Sequence, residues 1–261
     1  MKNLFELDFS DPLVFALIST LFAVIVLLRY LAFSGMYHYL FLIILRERFS
    51  KRYLHKKPPP RSQMIKEIAW SAWASAIFGV FGTAMLLLWQ TGHTQLYIRI
   101  SERSLYWLPL SLLIALLIHE TYYYWLHRWM HRPGIYHLLH KVHHDSVVTS
   151  SWTSFSFHPL ESLLQALIVP VILVLVPMHI SVLIVFLIIM TISAIINHAG
   201  VEVYSRGFAR NWLGRWIIGA AHHDLHHKQF RYNYGLYFTF WDKWMNTESP
   251  DFKDLIGRKT S

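Results

Sequence analysis

Three groups of histidine in this chain carry the spacing of metal ligands. His127-x-x-x-His131 is an i, i+4 pair, which sets both imidazoles on one face of a helix. His140-x-x-His143-His144 combines i, i+3 and i, i+4 spacing and reads as one face. His223-x-x-His226-His227, preceded by His222, repeats that spacing about 80 residues later. Of the 17 histidines, 14 fall between His119 and His227, so they are concentrated rather than scattered. Imidazole is a borderline ligand that suits iron, zinc, copper and nickel, and a helix with this spacing offers two or three nitrogens to one ion. Eight imidazoles exceed the needs of a single ion. Two metals fit the count, with His158 and His198 available to complete their shells, and the spacing leaves the metal's identity open. The plainer reading of the boxes is a pH-responsive surface. His38, His55, His93 and His179 stand alone and read as surface or interfacial side chains, while His119 and His137 flank the boxes outside their spacing. The chain has no Cys, which excludes disulfides, thiolate-ligated metals and thiol catalysis.

The elements that must position these boxes are apolar. Of the 261 residues 54% are hydrophobic and 15% charged, with a net charge of +9, and uninterrupted apolar runs place most of the chain in a bilayer. The first run covers residues 13–45 with Arg29 inside it. At 1.5 Å per residue it is about 50 Å long, so one helix crosses and then emerges, and with no small-residue cleavage site after it the segment is retained as an anchor. A basic segment follows from Arg46 to Lys66, broken by Pro58-Pro59-Pro60, and the positive-inside rule makes it cytoplasmic. Residues 68–89 form a spanning helix in which Gly79 and Gly82 permit close approach of another helix. Residues 91–104 lie on the far side, and a helix over 105–126 returns and delivers His127. Runs over 163–178 and 182–196 read as a helical hairpin of short arms, and the chain from Asn197 onward reads as a cap on the membrane surface. The expected fold is an all-α integral membrane protein of about four to five membrane helices, with a cytoplasmic histidine-rich helical cap holding a di-metal site. It forms one domain over 1–261, with an anchor and basic loop in 1–66 and the catalytic region in 67–250. Basic residues beside apolar spans favour anionic lipid over nucleic acid as a contact.

With these residues in view, the sequence resembles the fatty acid hydroxylase and sterol desaturase superfamily. The resemblance rests on Glu120-Thr-Tyr-Tyr-Tyr-Trp-Leu-His127-Arg-Trp-Met-His131, Leu139-His140-Lys-Val-His143-His144, Phe157-His158-Pro159-Leu160-Glu161 and Asn197-His198-Ala-Gly200. The stretch from Ala221-His222-His223-Asp224-Leu225-His226-His227 through Tyr232-Asn233-Tyr234-Gly235 to Trp241-Asp242 is most similar to the C-5 sterol desaturase branch. The resemblance implies a membrane-bound enzyme with two non-haem iron ions, which zinc can replace on expression. Such an enzyme uses O2 and two electrons to hydroxylate or desaturate a C–H site of a membrane lipid, whether sterol-like, fatty acyl or sphingolipid. It implies His127, His131, His140, His143, His144, His223, His226 and His227 as iron ligands, His198 as a ninth, and His158 as a ligand or a neighbour of one. Glu120 is expected to hydrogen-bond a ligating imidazole. Ala199-Gly200 after His198 departs from the acidic residue common in the sterol branch.

No electron-transfer domain is recognisable in the chain. Reducing equivalents are therefore expected from a separate cytochrome b5-like or ferredoxin-like protein; the basic loop and Arg206, Arg210, Arg215 and Lys228 read first as a positive-inside membrane face and second as a dock for such a donor. A bacterial inner membrane is favoured over the endoplasmic reticulum, to which Arg258-Lys259-Thr260-Ser261 bears a weak resemblance as a basic retrieval tail. Two other classes compete. A b-type haem electron-transfer protein would place single histidines on facing helices, and a metal transporter would need polar ligands along spans that offer almost none.

Overall fold

Asp11 starts the first helix, α1 (Pro12–Tyr39), by accepting hydrogen bonds from the N–H groups of Leu13 and Val14, with Pro12 in the first turn where its missing N–H costs nothing. The molecule is a computed structural model describing residues 7–252, so Lys2, Glu6 and the tail from Arg258 lie outside the described residues. A π-helical turn, Leu40–Ile44, prolongs α1, and the combined Pro12–Ile44 runs 33 residues. This is the long helix expected from the apolar run. The second helix, α2 (Arg61–Gln90), begins directly after Pro60, so Arg61 and Lys66 belong to its first turns rather than to a loop.

Small residues bring α1 and α2 together. A Cβ at Gly79 would collide with the backbone of Ser19 and Ala23, and one at Gly82 with the Phe22 ring. The Ser19 and Thr83 hydroxyls meet across the same seam at 3.0 Å. Close approach at the glycines thus has α1 as its partner.

Residues 91–104 contribute a two-residue strand, β1 (Leu96–Tyr97), and a 3-10 turn, Ile100–Glu102. Next comes α3 (Trp107–Met130), 24 residues long, apolar in its first half and rich in His, Glu and Tyr in its second. Two short helices follow, α4 (Ile135–Leu139) and α5 (Lys141–His144). The expected hairpin begins with α6 (Pro159–Ala166) and α7 (Ile168–Leu175). They are separate because Pro170 has no N–H to bond back to Ala166. A second short strand, β2 (Met178–His179), pairs in parallel with β1 and ties the hairpin's turn to the segment between α2 and α3. The return arm, α8 (Ile180–His198), is 19 residues and longer than its apolar run.

Three helices among the described residues are long and apolar enough to cross a membrane: Pro12–Ile44, Arg61–Gln90 and Ile180–His198. The remaining α-helices among the described residues are α9 (Arg206–Arg210), α10 (Ala220–Gln229) and α11 (Phe240–Trp244). Phe186, Ile172 and Met178 anchor one apolar core among α3, α7, α8 and β2. Tyr30, Ala74, Phe155 and Phe157 form another, where α1 and α2 meet the 3-10 turn Ser151–Phe155. That turn is held from below by Glu67, a buried carboxylate on α2 that accepts from Ser150 and Thr153. The basic segment lies against the chain after α8. Tyr53 bridges Val201, Leu54 N–H donates to Gly200 and Glu202 N–H donates to the Arg52 carbonyl. Basic loop and histidine cap therefore share one end of the molecule.

Candidate metal centre

Each histidine box arrives on a different element. The last turn of α3 carries His127, and His131 closes that helix. His140 sits at the junction of α4 and α5, with His143 and His144 in α5. His198 ends α8, and α10 carries His223, His226 and His227. These nine imidazoles fall into two neighbouring groups. One holds His127, His131, His140, His144 and His226, the other His143, His198, His223 and His227, and within each group the ligand atoms lie within 4.8 Å of one another.

A box does not present a single face. Successive helical residues diverge by about 100°, so the i, i+4 pair of each H-x-x-H-H box points into one group and the i+3 residue into the other. His140 and His144 join the first group while His143 joins the second, and α10 does the reverse, with His223 and His227 in the second and His226 in the first.

The nitrogens are oriented as metal ligands require. On five rings Nδ1 is bonded away from the group centre: His127 to the Tyr234 carbonyl at 2.9 Å, His226 to Tyr232 at 2.7 Å, His198 to Ala194 at 2.7 Å, His143 to Ser156 at 3.3 Å, and His140 to the Glu161 carboxylate at 2.8 Å. Donation from Nδ1–H fixes the tautomer and leaves an Nε2 lone pair facing inward. Those Nε2 atoms converge. His131 and His226 approach to 3.0 Å, His144 and His226 to 3.1 Å, and His198 lies 3.0 Å from both His143 and His223. Two nitrogens each about 2.1 Å from one ion and at right angles are separated by about 3.0 Å, so the spacing suits a shared cation. His127 Nε2 and His140 Nε2 are buried and have no hydrogen-bond partner among the described residues, a cost that a bound ion removes.

Burial, reinforced by neighbouring imidazoles, pushes His140, His143, His144, His223, His226 and His227 well below the ordinary histidine value. These rings are neutral at pH 7 and keep their lone pairs. The donor set could hold metal ions. The rings stand in contact, with centroids 4.3 Å apart for His127 and His226 and 4.4 Å for His198 and His223, which leaves no slot for a porphyrin between two of them.

The carbonyls that orient His127 and His226 come from the Tyr232-Asn233-Tyr234-Gly235 segment. Asn233 adopts a left-handed conformation (φ 62°) that turns the chain back, and its side chain bonds the His222 carbonyl. Asp242 accepts from the N–H groups of Tyr234 and Gly235, and Glu120 accepts from those of Leu236 and Tyr237. Glu120 therefore departs from the expectation of bonding an imidazole. It lies seven residues, about two turns, before His127 on α3, and its carboxylate holds the loop that carries the carbonyls. The carboxylate that meets one of the clustered imidazoles, His140, is Glu161, fully buried on α6. Its signal was an acidic residue two positions after Pro159, at the start of an otherwise apolar run.

His158 stands apart from both groups. It occupies the boundary before α6, with Pro159 in the next position, and its ring accepts from Leu160 N–H and lies beside Trp70. His119 meets the Tyr237 hydroxyl at 2.6 Å, His222 is buried against Phe252, His137 is exposed, and His55 pairs with Asp224 on α10.

Residues 112–247 match the family model described as Fatty acid hydroxylase, a stretch that contains all nine clustered histidines. Among curated proteins, the chain is 31% identical over 207 residues to a Delta(7)-sterol 5(6)-desaturase of Gibberella zeae, covering 79% of this chain and 62% of the relative. It is 31% identical over 186 residues to human lathosterol oxidase, covering 70% and 60%, and 28% identical over 186 residues to the Delta(7)-sterol 5(6)-desaturase of Saccharomyces cerevisiae, covering 70% and 48%. The chain thus spans less than two thirds of the length of these three relatives. They are fungal and mammalian and lend no support to the bacterial membrane expected from the sequence. No solved structure matches.

Proposed function

Because the chain belongs to the fatty acid hydroxylase family, we propose that it is a membrane-bound oxidoreductase that holds two non-haem iron ions and uses O2 and two electrons to hydroxylate or desaturate a membrane lipid. The observation that carries this reading is the pair of adjacent, buried imidazole groups, five and four strong, each with nitrogens converging to about 3 Å. His127, His131, His140, His144 and His226 would hold one ion and His143, His198, His223 and His227 the other. Bound iron would supply the one-electron and O2 chemistry that no side chain performs, activating an alkyl C–H bond.

The chain's own residues prepare that site. Nδ1–H donation to Tyr232, Tyr234, Ala194 and Ser156 locks the tautomers, and the Glu161 carboxylate makes His140 a more basic ligand. Burial keeps water from competing for the imidazole nitrogens. The proposed catalytic region lies within residues 67–250 of one domain, with the basic segment on the cytosolic face and an electron-donor protein docking there.

Metal and haem analysis of the detergent-purified chain tests this. The expected result is two non-haem metals per chain, with zinc read as replacing iron, and lipid products gaining one oxygen or losing two hydrogens. Stoichiometric haem without a second metal would overturn it.

A further inference from the structure

The first imidazole group touches electron-rich rings and the second does not. The Tyr234 ring lies 5.4 Å from His226, 5.5 Å from His131 and 5.6 Å from His127, centroid to centroid. Around the second group, the non-imidazole ring in contact among the described residues is Phe157, 5.2 Å from His143. Tyrosine and tryptophan give up one electron far more readily than phenylalanine or histidine, and the chain has no Cys to compete with them.

From Tyr234 the ring contacts continue outward. Tyr124 on α3 follows at 6.1 Å, Trp241 on α11 stacks on Tyr124 at 5.7 Å with 18° between the planes, and Trp244 lies 5.5 Å from Trp241. All fall within the roughly 4.5–7 Å of paired aromatic rings. Burial decreases along the series, since Tyr234 and Tyr124 are buried, Trp241 is half-buried and Trp244 is 61% exposed. Two other tyrosines touch the first group, but among the described residues neither is joined to a surface tyrosine or tryptophan. Tyr123, 5.2 Å from His127, leads by His119 to buried Tyr237. Tyr136, 5.6 Å from His131, leads to His137 and Phe230.

Tyr124 also has a path for its proton. Thr247 donates to the buried Asp242 carboxylate at 2.8 Å, so the 2.9 Å contact of Tyr124 with Thr247 is a donation from the phenol. The Tyr234 hydroxyl donates instead to the Phe230 carbonyl at 3.2 Å. A phenol is oxidised more easily when its proton can move to a base, and a carboxylate is a far better base than a carbonyl. Tyr124 is therefore easier to oxidise than Tyr234, which draws an oxidising equivalent outward.

We propose that Tyr234, Tyr124, Trp241 and Trp244 form an escape route for oxidising equivalents, protecting the imidazoles when O2 is reduced with no lipid in place; the proposal rests on the O2-dependent function above. One electron leaves the Trp244 indole and reaches the metal site by way of Trp241, Tyr124 and Tyr234, each ring being oxidised by the ring inside it and re-reduced by the ring outside it. While Tyr124 is oxidised its proton is held on the Thr247–Asp242 relay, and it returns with the electron. The Trp244 indole gives its N–H proton to water. The radical left there is reduced by a thiol or ascorbate in solution or, lacking one, combines with O2 to leave an oxidised indole. Electrons from a donor protein do not take this route, because they would have to reduce aromatic rings that do not accept them.

The test uses the iron-loaded full chain in detergent, stoichiometrically reduced and mixed with O2 in the absence of lipid. It is freeze-quenched for electron paramagnetic resonance and then digested for mass spectrometry. An organic radical and oxygen added at Trp244 are expected, suppressed by ascorbate, with Trp212 unmodified although it is 75% exposed against 61% for Trp244. Trp241→Phe should remove the Trp244 product with metal content unchanged and move oxygen onto Tyr124, Tyr234 or the imidazoles of the first group. Trp244→Phe, at an exposed position, should move the product back to Trp241. Equal oxidation of Trp212 and Trp244, a Trp244 product that survives Trp241→Phe, or oxidation that ends at Tyr136 overturns the proposal. A chain that takes up no non-haem metal would sink the oxidase reading, and the route is then read with flash-generated tris(bipyridine)ruthenium(III), which oxidises Trp244 from solution. A tyrosyl radical abolished by both Trp241→Phe and Tyr124→Phe is the expected result there. Metal and lipid turnover with no such radical in either assay would refute the route and leave the oxidase standing.

Discussion

The two imidazole groups have similar ligands but unequal support. In the first, three of five rings are held through their second nitrogen, and one of those holders is a buried carboxylate, Glu161. In the second, only His198 has a short bond of this kind, that of His143 is 3.3 Å, and His223 Nδ1 and both nitrogens of His227 are buried without partners among the described residues, against His144 Nδ1 alone among the Nδ1 atoms of the first. Outer hydrogen bonds fix ring orientation and basicity, and losing one costs 10–100-fold in metal affinity. The first group is therefore the pre-organised site, and the second depends more on the metal to arrange it.

The largest expected effect comes from His198→Ala. It removes one of four ligands from the less supported group, and metal content measured by plasma mass spectrometry should fall from two per chain to one, with turnover lost. Retention of both metals would break the assignment of His198. His131→Ala, which takes one of five ligands, should keep more metal than His198→Ala, and the reverse order would invert the comparison.

Next in size is Glu161→Gln, which removes the charge behind His140. Metal affinity at the first group should fall 10–100-fold, visible in chelator competition as loss of its slower release phase, while the second group releases as before. Equal change in both phases would show the groups to be one unit.

Acid should act on both groups. His140, His143, His144, His223, His226 and His227 are depressed well below the ordinary value by burial and by neighbouring imidazoles, so below about pH 6.5 the unfolded chain binds protons that the folded chain does not. Their contribution is present above that pH and lost as pH falls through it toward the folded values. Thermal unfolding of chelator-stripped protein should show a declining Tm from pH 7.5 to 5.5, and a flat profile would indicate that water reaches the rings.

The smallest effect should follow Glu120→Gln, which weakens the hold on Leu236 and Tyr237. A loss of about 1–3 kcal/mol in stability is expected, with metal content per folded chain little changed. A metal loss as large as that of Glu161→Gln would restore the imidazole partnership expected from the sequence.

Much of this was legible in residue type and spacing. The boxes announced metal capacity because few other patterns concentrate imidazoles at helical intervals, and Gly79 and Gly82 marked a close helix contact whose partner is α1. Other features were not legible, for physical reasons. Spacing within one helix says which side chains are neighbours and not which distant segment they meet, so the division of the two H-x-x-H-H boxes between two groups, with His127 and His131 left together, appeared only with α5 and α10 facing each other. Glu120 and Glu161 were indistinguishable as lone acids in apolar surroundings. Their roles depend on whether the N–H groups of a loop or an imidazole ring lie across the gap. His158 had the right residue type but fell at a helix start, where its ring is used on the backbone. The β1–β2 pair is too short to leave a period-2 pattern.

The reciprocal division of the boxes has a topological consequence. An ion shared by His144 and His226 closes a loop of more than 80 residues, and one shared by His143 and His223 closes another of almost the same span. Each ion would then act as a cross-link on the chain, and closing a loop of about 100 residues is worth about 4–5 kcal/mol of denatured-state entropy in the simplest treatment. Because the segment between them contains α6, α7 and α8, the cap can be fastened only after the return arm of the hairpin is in place. The metals would be the last fastening of the fold, and their loss would release the cap while leaving the α1–α2 pair intact.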